Sequence, residues 1–281
     1  MGVASESADL TLTRLPPTGD CRAGAACATV ALRSATDDPM LSTDMPEHSV
    51  TQWPKPYRAL LRVVLLAVSP ALSAAAAAAD CGAPGRNVDW TGCTKQMLML
   101  SGTDFGKSTF DRAILTATDF SGARFAGSTF VRCEVTRTSF RNADLSGANL
   151  EKCSGHRTVF DGARMENAIL QKAEFNRSSF MRAKLKGADL SKADFGRAAF
   201  DGADLTGVNF WLANLSRARF PGAQLSGADF REAYTYRTDF SGADLSSVTH
   251  LTQKQIDLAC GDAKTALPPG LSRPADWVCE D

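Results

Sequence analysis

The sequence predicts an all-β solenoid whose chain turns a corner every five residues and closes a four-sided coil every twenty. Three observations carry that reading. From Leu100 to Leu245 every fifth position is Leu, Phe or Met except Val135, Gly155 and Thr235, and all 15 phenylalanines of the chain fall on this register. The residue two before each, from Thr103 to Ala243, is always Ala, Ser, Thr, Cys or Val. A slower rhythm runs at twenty: Phe120, Phe140, Phe160, Phe180, Phe200, Phe220 and Phe240, and likewise Arg137, Arg157, Arg177, Arg197, Arg217 and Arg237.

Neither ordinary element buries such a set. On an α-helix, positions five apart differ by about 140° and build no face. On a strand they fall on opposite sides. A chain that bends every five residues instead points each Phe or Leu back toward one axis. The bulky and small positions then fill a narrow interior, and residues twenty apart stack as columns about 4.8 Å apart, the spacing of neighbouring strands.

Along the chain, residues 1–56 are mixed and polar with no periodicity, and are expected to be an N-terminal extension, disordered or lying upstream of a true start at Met45. Residues 57–79 have the layout of a secretory signal: Arg58 and Arg62, then an apolar run ending in alanines before Asp80. Cleavage near Ala79 predicts a periplasmic or secreted protein; a retained 59–79 segment would make it membrane-anchored. Residues 80–99 form an N-terminal cap, 100–247 the repeats, and 248–281 a C-terminal cap. In the last, Thr252 with Gln255 fits a capping box and Gly261 a helix stop, which predicts a short helix over about 253–260.

The motif "ADLSGANL" (Ala143–Leu150), repeated as "ADLSKADF" and "ADLTGVNF", resembles the pentapeptide-repeat family over roughly 100–247. The resemblance implies a right-handed quadrilateral parallel β-helix with Leu and Phe in the core. The tail "ACGD…LPPGL…W" resembles that of exported or uncharacterised bacterial members. Gly155 breaks the pattern, and a cavity or bulge is expected there.

Six cysteines follow residue 80. Cys81 with Cys93 and Cys260 with Cys279 are expected to staple the two caps as disulfides. Cys133 and Cys153, one coil apart, are read as buried thiols, because parallel inward side chains aim poorly at each other. No metal or cofactor is expected, since no close Cys or His pairs supply ligands.

Catalytic chemistry finds no foothold. "GTDFGKS" (Gly102–Ser108) is one residue short of a phosphate-binding loop, and its Phe105 is on the buried register. The recurrent Asp before each core position is read as a turn-bonding residue. The sequence therefore points to a non-enzymatic scaffold or binding module.

Its candidate sites are an anion-binding column (Arg137, Arg157, Arg177, Arg197, Arg217, Arg237) and a partner patch of Trp211, Leu212, Tyr234 and Tyr236 that would serve a protein or a second copy of the chain. A second basic column comprises Arg112, Arg132, Lys152, Lys172 and Lys192. The expected partner is a protein or an anionic polymer. The family's best-understood members imply an alternative, cytosolic protection of DNA gyrase by imitating duplex DNA, which requires an acidic surface. Residues 80–281 carry 25 Lys plus Arg against 24 Asp plus Glu, so that imitation and nucleic-acid binding are both disfavoured. A β-helical enzyme acting on polysaccharide is weaker still, because the interior is filled.

Overall fold

A computed structural model describes residues 81–279. The segments read as an extension and a signal lie outside them. The described chain is a β-helix. Parallel bridges recur every five residues and join each position to the one twenty further on, from Asp89↔Thr109 and Thr94↔Ile114 onward. Four bridges per twenty-residue coil make four sides. The ladder begins at Asp89, within the segment read as the N-terminal cap.

One coil shows why the backbone closes this way. The Phe120 N–H donates to the Ser139 carbonyl (2.8 Å) and the Ser139 N–H to the Thr118 carbonyl (3.0 Å), which ties two coils together. The Ala123 N–H then donates to the Phe120 carbonyl (3.0 Å) and closes the corner. The corner leaves no room inside for a large side chain, which accounts for the small residue at that place. The Asp or Asn before the core residue takes the next free N–H. Asp144 accepts from Ser146 (3.1 Å), Asp194 from Gly196 (2.9 Å) and Asn214 from Ser216 (3.0 Å).

The interior is a dry stack. Phe120 to Phe240 form one column with ring centroids 4.8–5.4 Å apart and interplanar angles of 3–25°. Burying each such side chain contributes roughly 2 kcal/mol. Where hydroxyls enter the core they are satisfied: Thr138 donates to the Leu115 carbonyl (2.8 Å) and Thr158 to that of Val135 (2.7 Å).

The sequence reading needs correction at Gly155, where it expects a cavity or bulge. The ladder runs through regularly as Glu134↔Ser154↔Glu174. The Phe175 ring of the next coil occupies the space: a Cβ on Gly155 would lie 2.6 Å from Phe175 Cδ1 and 2.7 Å from Thr158 Oγ1. A core this dense fills a missing side chain from its neighbour.

A second correction concerns Cys133 and Cys153, which are bonded to each other rather than free. Their Cα atoms are 4.6 Å apart, inside the range a disulfide spans, so stacking itself brings the sulfurs together. The cap disulfides Cys81–Cys93 and Cys260–Cys279 are present, with Cα separations of 5.9 and 5.0 Å.

Both coil ends are covered, as exposed strand edges require. At the N-terminal end Trp90 is fully buried edge-on against Phe105 and Phe110, and its indole N–H donates to the Gly82 carbonyl (3.0 Å). At the other end the chain leaves the coil for one helix, α1 (Gln253–Leu258), whose Thr252 and Gln255 form a capping box. Gln255 also donates to the Phe230 and Ala233 carbonyls (2.8 and 2.9 Å). Thr235, a polar residue on the core register, donates to the Gln255 carbonyl (2.8 Å), so this exception belongs to the cap.

Gly261 does not end α1. The helix stops at Leu258, and Gly261 lies against the buried Trp277 ring, where a Cβ would come within 2.6 Å. Asp262 fastens the segment beyond. Its carboxylate accepts from the N–H groups of Gly242, Lys264 and Thr265 (2.9, 3.0 and 3.0 Å), and the Gly242 bond above all holds its pKa below the ordinary aspartate value.

Candidate anion-binding face

Each corner from Asn87 to Gly242 carries one residue in the left-handed region of backbone space, where an L side chain costs about 1–2 kcal/mol and glycine costs little. Two of the four corner columns meet this requirement mainly with glycine, for example Gly122, Gly162, Gly202 and Gly242 on one and Gly127, Gly147, Gly187 and Gly207 on the next. The other two are basic. Arg137, Arg157, Arg177, Arg197, Arg217 and Arg237 occupy one, at φ of 54–60°, and Arg112, Arg132, Lys152, Lys172 and Lys192 the other, at 57–59°. The chain thus holds charged side chains at the positions where they strain the backbone most.

These two corners border the same side of the solenoid. Its strand positions are Glu134, Ser154, Glu174, Asp194, Asn214 and Tyr234, one per coil, as the bridge ladder Glu134↔Ser154↔Glu174↔Asp194↔Asn214↔Tyr234 records. The second basic column is therefore the opposite edge of the arginine face.

Several arginines elsewhere have carboxylate partners, Arg124 with Asp104 (2.6 Å), Arg141 with Asp161 (3.3 Å) and Arg219 with Asp201 (3.0 Å), while Arg112, Arg132 and Arg182 make no ion pair among the described residues. Among the described residues, Arg137, Arg157, Arg177, Arg197 and Arg217 make no ion pair, and all five are exposed. The acids on this face do not neutralise them. Asp194 accepts instead from the Asn176 and Asn214 amides, 3.0 Å each, and Glu174 has no side-chain partner among the described residues.

Between the arginine edge and the strand positions lies an open groove of about 830 Å³, bordered by Arg177, Arg197, Arg217, Tyr234 and Tyr236. Gly196 adds no side chain to its floor, where a Cβ would lie beside the Asp194, Ser216 and Asn176 side chains. The tyrosine rings lie nearly parallel, 14° apart with centroids at 6.3 Å, and are 52% and 40% exposed. Such a groove reaches small-molecule size. Three guanidinium groups along its rim, Arg177, Arg197 and Arg217, one coil apart and without ion-pair partners among the described residues, offer planar donor forks for carboxylate or phosphate.

The expected aromatic patch is divided by the structure. Tyr234 and Tyr236 lie on the arginine groove, whereas Trp211 and Leu212 sit on the second basic corner. Leu212 is exposed, but Trp211 is only half-buried surface, its ring covered by the Lys192 ammonium 4.4 Å from the centroid. That cation–π contact occupies one face of the Trp211 ring. Asn176 and Asn214 were not singled out from the sequence, although their places on the twenty-residue register would have revealed them.

Among the described residues the sequence-noted candidates do not come together as a catalytic group. His156 is exposed at the groove and makes no side-chain hydrogen bond among the described residues. The loop-like "GTDFGKS" segment is two ordinary coil corners with Phe105 fully buried. Asp239, Cys260 and Cys279 bring three ligand-type atoms within 4.8 Å of one another, but both sulfurs are committed to the cap disulfide.

The five-residue corners, twenty-residue coils and filled core agree with sequence comparison, where a pentapeptide repeat region family matches residues 173–250 and pentapeptide repeats (8 copies) match 99–130 and 118–154. This is a pentapeptide-repeat protein. No curated protein matches it. Among solved structures it is similar to HetL, a pentapeptide-repeat protein involved in heterocyst differentiation regulation from the cyanobacterium Nostoc sp. strain PCC 7120. The two are 20% identical over 69% of this chain and 92% of HetL, with a TM-score of 0.38. It is similar also to QnrB1, a plasmid-mediated fluoroquinolone resistance protein (22% identity, 66% and 92% coverage, TM-score 0.38). A pentapeptide-repeat protein from the Arabidopsis thaliana thylakoid lumen is 30% identical over 43% of this chain and 79% of its own, with a TM-score of 0.30.

Proposed function

We propose that this pentapeptide-repeat protein is a non-enzymatic, exported scaffold that binds an anionic polymer or an anionic protein surface along its arginine-edged face. One observation carries the reading: five arginines without ion-pair partners among the described residues stand on one corner column, in a backbone conformation that glycine fills on two of the other corners. Neighbouring like charges at the coil spacing repel by roughly 1 kcal/mol in water. Strain and like-charge repulsion gathered on one corner column fit a surface held ready for a counter-charge.

Export rests on the apolar segment at 57–79 and on the disulfides, which engage all six cysteines after residue 80 and suit an oxidising compartment. Among the described residues no helix is long and apolar enough to cross a membrane. Intact mass of the native protein, before and after reduction, checks this part: a chain starting near Asp80 that gains six hydrogens on reduction is expected, and an uncleaved, fully reduced chain would refute export. Imitation of DNA toward gyrase, the alternative that the family resemblance implies, is opposed by the same basic corners.

The binding test replaces Arg177, Arg197 and Arg217 together by alanine. Alanine keeps the left-handed strain, so the fold changes little while the charge goes. Salt-sensitive binding of acidic polymers is expected to vanish; unchanged binding retires the proposal.

A further inference from the structure

The groove contains more than a charged rim, and its remaining groups narrow the ligand. Building on the anion-binding reading, we infer that the groove beside Arg177, Arg197 and Arg217 is a binding site for a carboxylated polysaccharide, laid along the solenoid axis with a sugar ring against Tyr234 and Tyr236.

The distribution of donors and acceptors leads there. The arginine rim offers donors only, and planar forks match carboxylates in a two-point contact. The floor offers acceptors. The Glu174 carboxylate and the Asn176 side-chain carbonyl are unengaged among the described residues, because the Asn176 amide nitrogen is already turned to Asp194 (3.0 Å). A pure polyanion such as polyphosphate or a DNA backbone brings acceptors alone, so it would satisfy the rim and be repelled by Glu174. A sugar acid brings both: carboxylates for the rim and hydroxyl donors for the floor.

Shape points the same way. The groove runs over the coils from Ser154 to Tyr234 and is about 830 Å³, room for a short run of a single flexible chain. Duplex DNA, with a major groove alone about 12 Å wide, is a far thicker object. At the C-terminal end the tyrosines present flat apolar faces with polar tips, the amphipathic surface on which a ring with C–H faces and an equatorial fringe of hydroxyls rests.

The test titrates the full chain at low salt with polygalacturonate, a neutral galactan, inorganic polyphosphate and oligo-dT. Polygalacturonate is expected to bind most tightly and the neutral polymer not at all. Tyr234→Ala with Tyr236→Ala should weaken polygalacturonate by about tenfold and leave polyphosphate unchanged. Glu174→Gln should strengthen polyphosphate several-fold more than polygalacturonate, because both polymers lose a repelling charge but only the saccharide loses a charged acceptor for its hydroxyls. Equal binding of all three polyanions, indifferent to the tyrosines, would overturn the saccharide site while the anionic face stands. Tyrosine-dependent preference for oligo-dT would overturn it in favour of single-stranded nucleic acid. Binding of none would overturn both.

Discussion

Gly155→Leu, which restores the residue that the five-residue register favours, is expected to destabilise the protein by about 1–3 kcal/mol. From sequence alone the same substitution would fill an empty place and stabilise it. The structure reverses the sign because the Phe175 ring already lies where the new side chain must go, and even a Cβ would approach within 2.6 Å of its Cδ1. Phe175 is also held from its other sides, edge-on to Phe160 (5.2 Å) and Phe180 (6.0 Å) and stacked toward Phe195 (6.3 Å), so it has nowhere to retreat. Gly155→Leu combined with Phe175→Ala should recover most of the loss, because leucine and alanine together take up about the volume that glycine and phenylalanine now fill. Denaturant unfolding of both single variants and the double measures the coupling directly. A stabilised Gly155→Leu protein would mean that Phe175 does not fill the gap.

Replacing Arg177, Arg197 and Arg217 together by glycine should raise stability by roughly 2–3 kcal/mol while it abolishes anion binding. Each change relieves about 1–2 kcal/mol of left-handed backbone strain. Against this stands about 0.5–1 kcal/mol of extra freedom that glycine gives the unfolded chain. Removing like charges stacked one coil apart adds up to about 1 kcal/mol per neighbouring pair at low salt and less as salt screens them. Thermal unfolding should rise by roughly 5–10 °C. The opposite result, a loss of stability, would show that the arginine stems support the coil by lying over it, and the face would then have a structural purpose. The corresponding alanine variants, which keep the strain, separate the two effects.

Much of the fold was legible because covalent order and spatial order nearly coincide in a solenoid. Phe120 and Phe140 touch because they are twenty residues apart, and the count can be made in the chain. The caps were partly legible for the same local reason: Thr252 and Gln255 pair across three residues, and Cys81–Cys93 and Cys260–Cys279 close short loops. Gly261 misled because glycine serves two ends, a helix stop or a place for a close neighbour, and the neighbour, Trp277, arrives from 16 residues away.

The candidate site was legible as a column of arginines and no further. Sequence places Arg177 over Arg157, but whether a guanidinium finds a carboxylate depends on which corner it occupies and which side chains reach it. Arg219 finds Asp201 at 3.0 Å, whereas Arg217, two residues earlier and around the corner, finds none among the described residues. Trp211 likewise gave no sign that Lys192 of the coil before would cover it.

By itself the sequence determined the coil, its core register, its basic columns and the cysteines that close its ends, because each follows from counting in fives and twenties along one chain. Only the tertiary structure decided that Phe175 fills the place of Gly155, that Cys133 bonds Cys153, that the two basic columns border one face, and that Arg177, Arg197 and Arg217 edge a groove there with no ion-pair partner among the described residues. The physical reason is range. A backbone rhythm is set by local sterics and hydrogen bonds that repeat with the sequence, but the reach of a side chain into a neighbouring coil depends on distances of a few ångströms that exist only once the coils are stacked.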